Sequence, residues 1–398
     1  MMKDTPLFIT SCTLTNALGR GLDASRDKLE SAQSGLRKSD LCGIALDTWV
    51  GEVEGLSTHQ IESLWQQYDC RNNRLADLAL QQDGFSDQVR KAADKYGATR
   101  IGVFLGTSTS GIEETEIAYA QLAPDDECMP DSYRYQYTQN VFSVADFVRN
   151  KLALRGPALV ISTACSSSAK VFASAYRYMA SGLIDAAVVG GVDSLCQTTL
   201  YGFNSLELVS SNQCRPWDNN RSGINIGEAA GFALLEWGLP TDTGIVLKSY
   251  GESSDAYHMS TPHPEGHGAA TAMQNALQVA DMSASDIDYI NLHGTGTRSN
   301  DLSEDRAVIS VFGDQVPCSS TKAWTGHTLG AAGITEVLFS CIAIDNNFMP
   351  ECLNYNEKDP ALAANVLRQR IDRPLANVMT NSFGFGGTNC CLILGKQA

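Results

Sequence analysis

Cys165, Lys322, His293 and His327 are the residues of this chain whose types and settings could support covalent chemistry. Cys165 stands where an apolar run, Ala158 to Ile161, breaks into small residues. A helical pattern follows, with Val171, Phe172, Ala175, Tyr178 and Met179 on one face and Gly182 as its stop. A strand, a tight turn and a helix would put the sulfur at a helix N-terminus. There the free backbone N–H groups and the helix dipole favour a thiolate over a thiol. The plainer reading is that one of twelve cysteines simply packs in a core. The downstream residues weigh against it. His293 lies in the small-residue stretch Asn291 to Thr297, after a strand-like Tyr289 to Leu292. Lys322 and His327 share a second such stretch, Ser319 to Gly333, which leads into a helix carrying Glu336. Gly and Thr around a histidine leave room for a substrate and let backbone approach it. A Gly-rich segment, Asn381 to Asn389 with Phe383 and Phe385, precedes a final apolar strand, Cys390 to Leu394.

The elements that must position these residues alternate between strand-like and helical stretches. Ile101 to Leu105, Ala158 to Ile161, Ala186 to Val192 and Gly231 to Glu236 read as strands. After the turn-rich 238–244 a second series begins at Ile245 and runs through Tyr289 to Leu292 and Val378 to Leu394. This alternation predicts a mostly parallel sheet with helices on its faces. The predicted organisation is a first half, residues 1–240, carrying the cysteine, and a second, 241–398, carrying the histidines and the lysine. Each half has a Ser/Thr-rich turn opening a small-residue helix, at Ser162 to Ala169 and at Ser319 to Ala332. Asp125 to Ser132 reads as a loop.

Composition narrows the class. The chain has 398 residues, 43% hydrophobic and 19% charged, as globular proteins have. No run of about 18 apolar residues is evident, and Met1 to Ala17 has no basic segment followed by an apolar one. The expectation is a cytoplasmic protein without membrane insertion. The cysteines are scattered, without a C-x-x-C pair, and read as reduced thiols. His263 and His267 have a metal-ligand spacing, but Pro264 and Gly266 predict a loop there and no metal is expected. A net charge of −16 argues against nucleic acid and anionic membrane as partners.

Taken together, the motifs resemble the β-ketoacyl–acyl carrier protein synthases, condensing enzymes of the thiolase superfamily. The likeness runs from Gly106 to Gly387 and includes Arg215 to Asp218, Gly227 to Gly231 and Ser253 to His258. It implies an α/β, five-layered αβαβα thiolase-like fold built from two similar halves, assembled as a dimer. It also implies that Cys165 takes an acyl group from the phosphopantetheine arm of an acyl carrier protein. His293 and His327 would then hydrogen-bond the malonyl thioester oxygen as an enolate forms there. Backbone N–H groups of Cys165 and Phe385 match the oxyanion donors of acyl transfer, and Phe385, with Phe383 nearby, matches the gate. By the same resemblance Lys322 orients the site with Glu336 as its counter-ion. Asp301 and Glu304 support the first histidine from behind, Thr295 and Thr297 bond the pantetheine arm, and Ile112 lines the acyl pocket. No cofactor is implied beyond the carrier's arm.

Some stretches depart from the housekeeping pattern. The turn after Cys165 reads Ser166, Ser167, Ser168, and the segment between Phe203 and Arg215 is short. Both, with Gly202 to Glu207 and Gly251 to His258, are similar to ketosynthases of aryl polyene pathways. That likeness implies a heterodimer with a nucleophile-lacking, chain-length-factor-like homologue, where the broader family implies a homodimer. Carrier docking on an acidic body would need a local basic patch, and Arg71, Arg74, Arg149 and Lys151 cluster in the sequence. Glu207 stands where many relatives carry a basic residue. The competing reading is a chain-length-factor-like subunit without chemistry of its own, which a retained cysteine disfavours.

Overall fold

The computed structural model describes residues 5–39, 45–123, 125, 128–239 and 242–397. Beside short strands of two or three residues, five strands build the sheet of the first half among the described residues: β1 (Leu7–Asn16), β2 (Ile101–Gly106), β3 (Ala158–Ile161), β4 (Ala186–Asp193) and β5 (Ala229–Trp237). Five more form the second: β6 (Gly244–Ser254), β7 (Tyr289–Asn291), β8 (Cys318–Ser319), β9 (Asn377–Gly384) and β10 (Thr388–Gln397). The first sheet runs in the order β3-β2-β4-β5-β1 and the second in the order β8-β7-β9-β10-β6. In each, three parallel strands are followed by two antiparallel ones. The two orders match strand for strand, so the faint repeat of the sequence is a repeat of topology. The sheets join edge to edge where β1 pairs with β6, at Leu7↔Leu247 and Phe8↔Val246.

Between the sheets lie α4 (Ser167–Ala180) and α8 (Ala332–Asn346), packed on each other and on strands of both halves. On the outer face of the first sheet sit α1 (Arg71–Leu80) and α3 (Ser143–Lys151). Against the outer face of the second lies α6 (His267–Ala280), flanked by α7 (Arg298–Phe312). Two further helices, α2 (Ile112–Gln121) and α5 (Gln197–Ser205), pack together. This is the five-layered thiolase-like arrangement. Its middle layer explains the patterns of the two central elements. A helix apolar all round must be buried all round, and every residue of α8 from Ala332 to Ile344 is buried. Strand β4 has helices on both faces and is buried along its whole length.

The central helices meet closely at their N-termini. A Cβ on Gly333 would stand 2.5 Å from the amide nitrogen of Ala169 and 3.0 Å from its Cα. Only glycine leaves room for that contact, and it brings the turn before α4 against the turn before α8.

Several expectations are modified. The stretch Leu329–Asn346 has a mean hydropathy of 1.3 and is long and apolar enough to cross a membrane by composition, but 89% of it is buried between the sheets. Its Glu336 is ion-paired there. All described cysteines are free thiols, and Cys42 lies outside the described residues. The expected boundary at 240/241 also lies outside them, as do residues 126 and 127 of the expected loop. His263 is in a turn as expected, while His267 opens α6, and their rings stack at 4.3 Å.

Candidate active site

The turn between β3 and α4 holds the sulfur. Ala164 takes a φ of 52°, in the left-handed region, and this folds the chain back sharply before Cys165. The serines that follow maintain the turn. The Ser166 hydroxyl donates to the Thr163 carbonyl at 3.0 Å, and the Ser167 hydroxyl donates to the Ala164 carbonyl at 2.6 Å while accepting from the Thr163 N–H at 2.9 Å. Ser168 accepts the Ile334 N–H of α8 at 2.9 Å. The run of three serines is therefore a set of braces, one of them tying the two halves together.

Cys165 is only 5% exposed and lines a cleft of about 600 Å³ with His293, His327, Thr295, Thr297, Phe383 and Phe385. Its sulfur and one nitrogen from each of the two rings all lie within 4.8 Å of one another. The rings meet edge to face at 5.4 Å, and Phe383 packs 5.9 Å from His293.

Hydrogen bonds fix the tautomers of both rings. Nδ1 of His327 accepts the Leu329 N–H at 3.1 Å. Nδ1 of His293 lies 3.2 Å from the Lys322 ammonium, which has only protons to offer. Each ring therefore carries its own proton on Nε2. Burial, then the Lys322 charge, and for His293 also the neighbouring His327, hold both imidazoles well below the usual histidine range. Both are neutral donors. The trio has the spacing of a three-ligand metal site, but a metal would need a bare Nε2 and would lie near the Lys322 ammonium.

Lys322 also donates to the His293 carbonyl and pairs with Glu336, and both side chains are buried. Burial pushes the Glu336 carboxyl up to about 7 against the pull of Lys322. Glu304 accepts the N–H groups of His293 and Gly294, each at 2.8 Å, and the Asn381 amide at 3.1 Å. Asp301 accepts the Gly296 N–H at 3.2 Å and the Trp217 N–H at 3.0 Å. These two acids hold the loop that carries His293, Thr295 and Thr297. The threonine hydroxyls bond each other at 2.9 Å, and Thr297 caps α7.

Two expectations need correction. The helix N-terminus does not make Cys165 acidic: burial pushes its thiol up to about 11, against the pull of Lys322 and a hydrogen bond from the Phe385 N–H. Desolvation outweighs the dipole because the second half of the chain closes over the sulfur. Ile112 opens α2 and is half-buried. The basic cluster dissolves into internal pairs. Arg71 is buried against Glu228 at 2.8 Å, Arg74 pairs with Asp69, Arg149 with Asp146, and Lys151 with Glu62 and Asp77.

Asp193, at the end of β4, escaped the sequence reading. It accepts the Thr107 hydroxyl at 2.7 Å, the N–H groups of Ser108 and Thr109 at 2.8 and 2.9 Å, and the Gly330 N–H, so it locks the turn after His327 to the turn after β2. An acid ending a fully apolar strand was the available signal. Asn225 was also missed; its carbonyl accepts the His327 N–H at 2.7 Å.

Comparison with known proteins agrees with this architecture. Residues 66–238 match the family model described as beta-ketoacyl synthase, N-terminal domain, and residues 244–356 match the C-terminal domain model. The chain belongs to the β-ketoacyl synthase family. As a member it is an acyltransferase of chain elongation. The synthase is 32% identical to nodulation protein E of Rhizobium meliloti over 86% of each chain. It is 29% identical to 3-oxoacyl-[acyl-carrier-protein] synthase 2 of Vibrio cholerae over the full length of both. Among solved structures, the ketosynthase ApeO of Xenorhabdus doucetiae, in complex with its chain length factor ApeC, matches at 38% identity and a TM-score of 0.89, covering 98% of each chain.

Proposed function

We propose that the synthase joins an acyl chain held on Cys165 to a malonyl unit delivered by an acyl carrier protein. The observation that carries this reading is the pair of neutral Nε2–H donors facing a buried thiol. The Cys165 sulfur attacks the carbonyl of the incoming acyl thioester, the carrier's C–S bond breaks, and the thiol proton ends on the departing pantetheine sulfur. Backbone N–H groups of Cys165 and Phe385 hold the oxyanion of this step. Malonyl thioester then binds, and the C–C electrons left by departing carbon dioxide move onto the thioester oxygen. His293 and His327 donate to that oxygen as charge develops. The enolate carbon attacks the Cys165 thioester, and the cysteine sulfur leaves as a thiolate that takes a proton from solvent. No metal or redox cofactor enters this sequence. Thr295 and Thr297 bond the pantetheine arm, and Phe385, tilted against Phe203 at 5.6 Å, is the gate.

The second part of the proposal concerns assembly. Strand β3 is half-buried and apolar, and among the described residues it pairs with β2 alone. Helix α3 packs on this strand, the turns 63–68 and 135–139 pack on α3, and α2 packs on the second of these; Leu64, Ile117, Tyr119 and Tyr135 are exposed on these elements, with Val141 and Phe142 exposed just before α3. An unpaired apolar edge in an apolar surround is a surface that invites pairing. Ile112 opens the helix that carries Ile117 and Tyr119, so this face is where a second subunit would complete the acyl pocket. The retained Cys165 speaks against a subunit without chemistry of its own. The likeness to a ketosynthase solved with its chain length factor supports a chain-length-factor-like homologue as the partner, and the stretches 202–207 and 251–258, similar to aryl polyene ketosynthases, favour that type of chain as product. The test is co-expression with such a homologue, native mass spectrometry of the assembly, and intact mass after addition of acyl carriers. An acyl adduct lost in Cys165→Ser supports the chemistry. A fully active homodimer that extends saturated chains and ignores the homologue would sink the polyene reading and leave the condensation intact.

A further inference from the structure

The two imidazoles owe their tautomers to different devices. Lys322 meets Nδ1 of His293 directly, whereas Nδ1 of His327 meets a backbone donor, the Leu329 N–H. A backbone N–H can face that nitrogen only while its peptide keeps one orientation. Leu329 has a φ of 54°, in the left-handed region, where a bulky residue is strained. Its side chain is buried in an apolar cluster with Val50, Leu195, Leu200, Ile224 and Ile226. Strain of this kind persists only where the surroundings over-determine the backbone.

Two anchors bracket the strained residue. On one side, His327 donates its N–H to the Asn225 carbonyl at 2.7 Å and accepts the Gly227 N–H at 3.0 Å. On the other, the Gly330 N–H donates to Oδ2 of Asp193. That contact is close: a Cβ on Gly330 would stand 2.7 Å from this oxygen and 2.9 Å from the Ser108 amide nitrogen. Asp193 is itself fixed. It is fully buried, and its Oδ1 accepts the hydroxyls of Thr107 and Thr109 at 2.7 and 2.9 Å and the N–H groups of Ser108 and Thr109 at 2.8 and 2.9 Å. The Ser108 hydroxyl donates to Oδ2 beside the Gly330 N–H. Both oxygens face donors, so a carboxylate fits where an amide would turn its own protons on them.

We infer that Asp193 is a positioning residue for decarboxylation. Through Gly330 it keeps Leu329 left-handed, and so keeps the Leu329 N–H on Nδ1 of His327 and the ring proton on Nε2. It does for His327, at one remove, what Lys322 does for His293. Without the Gly330 contact, Leu329 relaxes toward negative φ and the Thr328–Leu329 peptide turns. Nδ1 then loses its donor, and the proton is free to occupy either nitrogen. His327 would offer Nε2–H to the enolate for only part of the time. Acylation of Cys165 draws on backbone donors and depends less on this ring. The inference rests on the condensation reading proposed above and deepens it by naming a residue that serves one of its two half-reactions.

The experiment uses the assembled synthase with isotope-labelled histidine, whose ring nitrogens report by NMR which of them carries the proton. The chain has six histidines, and the His327 signals are those lost in His327→Ala. The unaltered protein is expected to show a single His327 tautomer, Nε2–H. Asp193→Asn sets an amide against the Gly330 N–H, and Gly330→Ala presses a methyl on Asp193. Each should populate the Nδ1–H form and slow carbon dioxide release from malonyl-loaded carrier about 10- to 100-fold, in kcat more than in KM. Acylation of Cys165 by hexanoyl-pantetheine should fall much less, whereas a purely structural role would lower both half-reactions alike. A single Nε2–H tautomer in either folded variant overturns the inference. So does a mixed tautomer in the unaltered protein, a measurement that needs no variant to fold. A mixed tautomer in the variants with carbon dioxide release within about threefold of the unaltered rate also overturns it. An unaltered synthase that holds Nε2–H on His327 yet releases no carbon dioxide overturns the condensation reading instead.

Discussion

Replacing Lys322 by methionine tests whether the buried Lys322–Glu336 pair serves chemistry or only the fold. The ammonium sits between the Glu336 carboxylate, Nδ1 of His293 and the His293 carbonyl. Its loss leaves the Glu336 carboxyl buried without a partner, and Glu336 Oε2 already lacks one. Removing one member of a buried pair costs about 3–5 kcal/mol. The same change frees Nδ1 of His293, so the ring proton no longer has to lie on Nε2 and one of the two enolate donors becomes unreliable. Loss of such a donor slows the step about 100- to 1000-fold. The double variant Lys322→Met/Glu336→Leu separates the two effects. It removes the orphaned carboxyl, and replacing a buried pair by apolar side chains is often close to neutral, so stability should return to within about 2 kcal/mol. Decarboxylation should stay slow, because His293 still lacks its partner. Urea unfolding followed by circular dichroism reads the first quantity, and carbon dioxide release from malonyl-loaded carrier reads the second. A double variant that is stable and decarboxylates within about threefold of the unaltered protein would refute the tautomer argument, since Lys322 would then be a purely structural residue.

Three further outcomes follow from the geometry. With the Cys165 thiol pushed up to about 11, its alkylation by iodoacetamide should quicken about tenfold per pH unit from about pH 7 to 10, and a plateau below about pH 8 would contradict the dominance of burial. His293→Ala and His327→Ala should each slow malonyl decarboxylation about 100-fold or more while acylation of Cys165 survives better, as quenched-flow mass spectrometry would show; normal decarboxylation with failed acylation would reverse the assigned roles. Gly333→Ala should force α4 and α8 apart and cost about 1–3 kcal/mol in urea unfolding, with a larger loss of Cys165 acylation than Gly182→Ala, where the methyl meets open space and the cost is that of a left-handed φ of 74° far from the site.

What the sequence made legible is local. Cys165, His293, Lys322 and His327 stand in or beside turns whose small residues and flanking strands are visible along the chain; the structure brings the cysteine and both histidines to one cleft and buries Lys322 against His293 behind it. The apolar run of β4 and the all-round apolar α8 were readable for the same reason. What stayed hidden depends on elements distant in sequence. The sign of the Cys165 shift is set by burial beneath the second half, which no pattern around residue 165 reveals. Arg71 read as a surface charge because its partner, Glu228, arrives from the strand region before β5. Asp193 looked like the end of a strand because its donors come from residues 107–109 and 330.

The matching strand orders of the two sheets bear on how such a site can arise. In the first half the connection from β3 to α4 carries the sulfur, and in the second the topologically equivalent connection, from β8 to α8, carries Lys322 and His327. An ancestor made of two identical copies would have faced two identical loops across a pseudo-twofold axis, with the same groups on both sides. In this chain one loop holds the nucleophile, and the longer equivalent supplies one ammonium and one imidazole, the second imidazole coming from the connection after β7. Neither copy retained a complete reaction. A separated first half would keep a thiol with nothing to steady an enolate, and a separated second half would keep the enolate donors with nothing to hold the acyl chain. The reaction is a property of the duplication, and it binds the two lineages to one polypeptide.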